Sequence, residues 1–202
     1  MANRTRNQAV AAMWSAVSVL AASGFSSPAV ASAAQREGTI VVHVDNYAGV
    51  PAKDLTKAEL IADRVYDAIG VRVIWVHEEA SDDPPGLRVH LRLLSRDMAD
   101  RKISKERIPD DVLGQAIPAS QCAYILFHRI PHVAVQEGHD YRRVLGLVVA
   151  HELGHIVLPT EGHSETGVMN RHVYLRSKYN LVYFTNEQGE AIRGLLMKLA
   201  GN

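Results

Sequence analysis

Cysteine is nearly absent from this chain: Cys122 is the only one in 202 residues. A single thiol forms no intramolecular disulfide, so the fold must rest on its core or on a metal rather than on covalent staples. Cys122 opens the apolar run CAYILF and reads as a packing residue rather than a reactive thiol. Excess charge is absent too, with 22 basic and 22 acidic residues. Such a balance leaves no electrostatic footprint for nucleic acid or for an anionic membrane surface. Acidic residues are missing altogether from the first 33 positions, which carry only Arg4 and Arg6 as charged residues.

Those first 33 residues hold the single long apolar run, Ala9 to Phe25, followed by the small residues SSPAVASAAQ. A basic start, an apolar middle and an A-x-A site form the pattern of a secretory signal peptide. Ala31-Ser32-Ala33 places the cut after Ala33, and Ala29-Val30-Ala31 offers a second site after Ala31. The alternative is an uncleaved anchor, which the run serves poorly, being rich in Ala and Ser and interrupted by Gly24 and Pro28. The expected organisation is a signal peptide over residues 1–33 and one domain over 34–202, exported to the periplasm or secreted, with no stable membrane insertion after cleavage. Removing Arg4 and Arg6 leaves 20 basic against 22 acidic residues, still nearly balanced.

Periodicity orders the remainder. Gly38–Val50 is rich in β-branched residues and predicts a strand that ends in a turn at Asn46–Pro51. Leu60, Ile61, Val65, Ala68 and Ile69 recur at helical spacing within Leu55–Gly70, with Asp54 or Thr56 as the expected cap. Val71–Val76 and the alternating Leu87–Leu94 predict two more strands, with the loop SDDPPG between them. Residues 95–120 are polar and irregular, with room for a short helix and a surface loop. Cys122–Ile130 predicts a strand, PHVAVQEGHD a loop, and Tyr141–Leu158 a helix. Thr185 with Gln188 three residues on predicts a capping box for a last helix whose apolar face holds Ile192, Leu195, Leu196 and Leu199. The fold class expected is α/β (α+β): a small twisted mixed sheet with packed helices.

His151 and His155 lie four apart, which puts both imidazoles on one face of the Tyr141–Leu158 helix, one turn apart. Both can reach one metal ion. Glu152 projects about 100° around the axis, where it need not bind the metal but can reach a water on it. The flanking VLGLVVA and IVL make the helix apolar on nearly every side, so it should be buried. Buried His, Glu and His must be satisfied, and a metal satisfies them together. Catalytic zinc takes three protein ligands and keeps a fourth position open. Pro159 and Gly162 break the helix, and His163 lies just beyond, ahead of Met169. His163 is the preferred third ligand, because three neutral imidazoles suit Zn²⁺ and leave it cationic. Glu161 and Glu165 are the alternatives.

The stretch HELGHIVLPTEGHSETGVMN resembles the metzincin clan of zinc metallopeptidases, with H-E-x-x-H-x-x-G-x-x-H followed by a methionine-containing turn. His151, Glu152 and His155 match, and Met169 matches the Met-turn; Leu158 stands at the family's glycine position and Glu161 at its third-ligand position. His163 comes two residues later, an elongated variant. The resemblance covers about twenty residues, and the order of elements along residues 34–202 is similar as well. It implies a hydrolase, an endopeptidase cutting peptide or protein substrates, with Glu152 as general base, Met169 packed beneath the ligands, and a sheet edge to which a substrate strand adds. CAYILF is the candidate for that edge. Tyr174 and Tyr179 follow Met169 at a spacing that fits an oxyanion role poorly. His128, His132 and His139 read as loop or surface residues, His43 and His90 as sheet-face residues, and Ser164 lacks an acidic orienter for a Ser–His pair. Two readings of another kind stay open: a zinc hydrolase of non-peptide amides, and a zinc-binding module without catalysis.

Overall fold

The computed structural model describes residues 38–77, 84–158, 162–172 and 181–201. The expected signal peptide over residues 1–33, Ser81, Asp82 and Asp83 of the SDDPPG loop, Glu161, Tyr174 and Tyr179 lie outside them. Among the described residues a five-stranded mixed sheet runs in the order β2-β1-β3-β5-β4. The strands are β1 (Gly38–Asn46), β2 (Val71–Val76), β3 (Leu87–Leu93), β4 (Gly114–Ile117) and β5 (Cys122–Ile125). β1 is parallel to β2 and β3, β3 is parallel to β5, and β4 alone is antiparallel, on β5.

Helices α1 (Ala52–Asp67) and α4 (Tyr141–Val157) pack on each other and on the sheet. Ile40, Val42, Leu91, Leu93 and Ile125 meet Ala62, Val65, Leu145 and Leu153 in one core. Gly146 lets the two helices approach closely: a Cβ there would lie 2.5 Å from the Ala58 carbonyl oxygen. A smaller cluster, Leu94, Ala99, Ile108 and Leu126, forms around α2 (Arg96–Glu106). Helix α5 (Asn186–Ala200) closes the chain and begins with the complete Thr185–Gln188 capping box. Among the described residues no helix is long and apolar enough to cross a membrane.

Several sequence expectations change. Helix α1 starts at Ala52 after Pro51 with no side-chain cap. Asp54 turns away to accept hydrogen bonds from Tyr141 and Arg142, and the Thr56 hydroxyl donates to the Ala52 carbonyl. The Cys122 strand stops at Ile125, and the expected loop after it is instead α3 (Ile130–Glu137). Pro131 falls in the first turn of this helix, where its missing N–H costs nothing. Leu199 is 47% exposed, outside the buried face of α5.

The largest correction concerns the sheet edge. CAYILF is interior, because β4 pairs with it through Gly114↔Ile125 to Ile117↔Cys122. The edge strand is β4, drawn from the stretch that looked irregular. Four residues between Leu113 and Pro118 are too short for a period-two signal.

Candidate metal centre

Thirteen of the 17 residues of α4 are buried, His151 and Glu152 among them at 6% and 5% exposure. A polar group so placed needs a partner. The Nδ1 of His151 lies 2.8 Å from the carbonyl oxygen of Val168. A carbonyl only accepts, so Nδ1 carries the proton and Nε2 keeps a bare lone pair. Burial, the larger effect, and the neighbouring imidazoles hold the pKa of His151 down to about 4, so the ring stays neutral at pH 7.

The Nε2 of His155 lies 3.1 Å from that lone pair. His163 completes the group: its ring stacks on His151 at 5.2 Å between centroids and meets His155 edge-on at 5.0 Å. One ring nitrogen from each of the three falls within 4.8 Å of the others. Two nitrogens on one tetrahedral zinc, each at about 2.0–2.1 Å, stand about 3.3–3.4 Å apart, so the donors fit such an ion. Burial also lowers the pKa of His155 and His163, which favours the neutral, ligating form of each. Among the described residues this is the only group of three or more such side chains able to hold a metal. Glu165 is exposed and outside it.

Glu152 faces the same cleft without being one of the three. The N–H of Ala116 on β4 donates to its carboxylate, yet burial dominates and lifts its pKa to about 8. A cation at the imidazoles acts in the opposite sense and favours the carboxylate. Gly114 passes directly over this side chain; a Cβ there would lie 2.6 Å from Oε1. Strand β4 therefore both orients Glu152 and leaves it room.

Met169 is fully buried in the turn after His163. It packs against Gly154, where a Cβ would come within 2.4 Å of its Sδ. The turn is tied to itself: Ser164 N–H donates to the Met169 carbonyl, and Asn170 Nδ2 donates to the Ser164 and Glu165 carbonyls. Tyr66 donates to the Ala150 carbonyl at 3.1 Å, pinning α4 just before His151.

A cleft of about 450 Å³ opens over these groups, lined by Pro109, residues 111–116 and Pro118 and by Val148, His151, Glu152, His155, His163 and Arg171. His128, His132 and His139 lie outside it, as do His43 and His90, whose rings neighbour each other at 5.4 Å. The Ser164 hydroxyl donates to the Thr166 carbonyl within the turn. Gly114, Ala116 and Arg171 escaped the sequence reading. No spacing rule ties β4 to α4, and Arg171 is one arginine among many until the turn brings it round.

No protein-family model and no curated protein sequence matches the chain. Solved structures similar to it include two zinc peptidases. One is a zinc-dependent peptidase from Methanocorpusculum labreanum (strain Z), at 15% identity and TM-score 0.47, covering 76% of this chain and 99% of that one. The other is an archaemetzincin from Methanopyrus kandleri, at 14% identity and TM-score 0.48, covering 79% of this chain and 96% of that one. Similarity so remote carries no function across.

Proposed function

We propose that this chain is an exported zinc-dependent metallopeptidase, secreted or periplasmic, that hydrolyses peptide bonds. One observation carries the reading: three neutral imidazoles converge on a point beside a buried carboxylate that is not one of them. A structural zinc site closes with four ligands, whereas three ligands and a nearby base are what hydrolysis requires.

His151, His155 and His163 would hold the zinc. Bound there, it supplies a Lewis acid that polarises the scissile carbonyl and makes water acidic near neutral pH. Glu152 takes the proton from the attacking water at its carboxylate and passes it to the leaving amine. The Ala116 N–H and the bare Cα of Gly114 keep that carboxylate in one place. The Val168 carbonyl fixes the His151 tautomer, and Met169 under Gly154 supports the turn that brings His163 in.

Strand β4 favours a peptide over other amides. It is the last strand of the sheet and lines the cleft, so its outer side can pair with an extended chain. A chain lying there passes Glu152 with residues on both sides, as in an endopeptidase. A cleft of this size also admits a small non-peptide amide. The test is cleavage of a peptide library by the zinc-loaded protein, wild type against Glu152→Ala. Cleavage lost in the variant supports the peptidase. Zinc bound with no cleavage by either protein rejects it in favour of another amide or a binding module.

A further inference from the structure

Arg171 is the one lysine or arginine among the described residues of the cleft. It is exposed, two residues after Met169, and its charge helps to depress the pKa of His163. Several other arginines are engaged: Arg92 with Asp45, Arg129 with the Pro109 and Val112 carbonyls, Arg142 with Asp54 and Asp140. No hydrogen bond or ion pair holds the Arg171 guanidinium among the described residues. Its backbone, by contrast, is fixed on both sides. Asn170 is tied to the Ser164 and Glu165 carbonyls, and the His172 N–H donates to Asn170 Oδ1 at 2.9 Å.

A guanidinium on a fixed backbone, lining the cleft with no partner among the described residues, offers a planar receptor for a carboxylate. The other charges of the cleft sharpen the point. Asp111 repels an anion on the opposite wall, and the remaining lining there is apolar or neutral. We infer that Arg171 is a specificity residue that recognises a carboxylate on the substrate, beside the scissile bond on the His163 side of the cleft. The inference rests on the peptidase reading above and names its substrate class: peptides bearing either an acidic side chain or a C-terminal carboxylate at that position.

The test uses pairs of peptides that differ only in charge: Asp against Asn and Glu against Gln at each position, and a free C-terminus against its amide. Cleavage by wild type is compared with Arg171→Gln and Arg171→Glu, all zinc-loaded. Binding of the same pairs to Glu152→Gln, with and without Arg171→Gln, is read by fluorescence anisotropy. Wild type should favour one class of carboxylate peptide by about 10-fold or more over its isostere. Arg171→Gln should bring that ratio to about one, and Arg171→Glu should invert it in favour of the neutral isostere, with zinc content unchanged. Preference within the Asp/Asn and Glu/Gln pairs assigns the carboxylate to a side chain; preference for the free terminus assigns it to the chain end. A uniform loss across all peptides in Arg171→Gln would overturn the inference and leave the peptidase standing. Charge-selective binding with no cleavage by wild type would keep the inference and sink the peptidase.

Discussion

Replacing Gly154 with alanine sets two effects against each other. In a helix interior, glycine to alanine ordinarily stabilises by about 1 kcal/mol, because alanine loses less backbone entropy. Here the new Cβ would lie 2.4 Å from Met169 Sδ and 3.2 Å from the Phe184 ring. Carbon and sulfur need well over 3 Å, and Met169 is fully buried with no open space to swing into. Overpacking of this kind costs about 1–3 kcal/mol. The net expectation for Gly154→Ala is destabilisation of about 0–2 kcal/mol. In a Met169→Ala background the main obstruction is gone and only the Phe184 ring has to give by a few tenths of an ångström, so the same substitution should stabilise by up to about 1 kcal/mol. The coupling between the two sites is then about 1–3 kcal/mol, well above the error of a double-mutant cycle. Urea denaturation of the four proteins in excess chelator reads it without a contribution from metal binding. A Gly154→Ala protein that gains the full helical stabilisation in the wild-type background would refute this account of the turn.

Gly114→Ala should cut turnover sharply while zinc content stays at one per chain, since the three atoms nearest its Cβ all belong to Glu152; metal analysis beside steady-state kinetics checks it. Asp140 caps α4 by accepting the Arg142 N–H, so Asp140→Ala should cost about 1 kcal/mol at pH 7 by thermal or urea unfolding. The hydrogen bond from Arg142, first among its causes, holds the Asp140 pKa below its ordinary 3.8. A carboxylate lowered in the folded state gives stability that is present above 3.8 and lost as pH falls through the folded value. The difference between wild type and Asp140→Ala should therefore shrink below about pH 3.8. Zinc at one hundred times its Kd should stabilise by about 2.7 kcal/mol, so chelation should lower Tm by about 5–10 °C; His163→Ala should reduce that difference.

The strongest sequence signals here are local ones. His151, Glu152 and His155 could be placed on one helix because helical geometry relates positions four apart whatever surrounds them. The capping box at Thr185 and Gln188 is legible for the same reason, since each partner sits within one turn of the other. The strands β1, β2 and β3 follow from dense β-branched or alternating residues. Pro131 shows the limit of such rules: its effect depends on where in a helix it falls, which the neighbouring residues did not reveal.

What tertiary structure decided is everything that joins distant segments. Strand β4 has too few residues to announce itself, yet it takes the sheet edge, orients Glu152 through Ala116 and gives it space at Gly114. The tautomer of His151 depends on a carbonyl 17 residues away. The place of Arg171 in the cleft depends on a turn stitched by Asn170. By itself, the sequence determined the helix that carries the two histidines and the glutamate, because short-range periodicity is enough for that. Only the folded chain decided how that helix is supported, enclosed and faced with charge. Those contacts come from loop closure and packing, and no spacing along the chain encodes them.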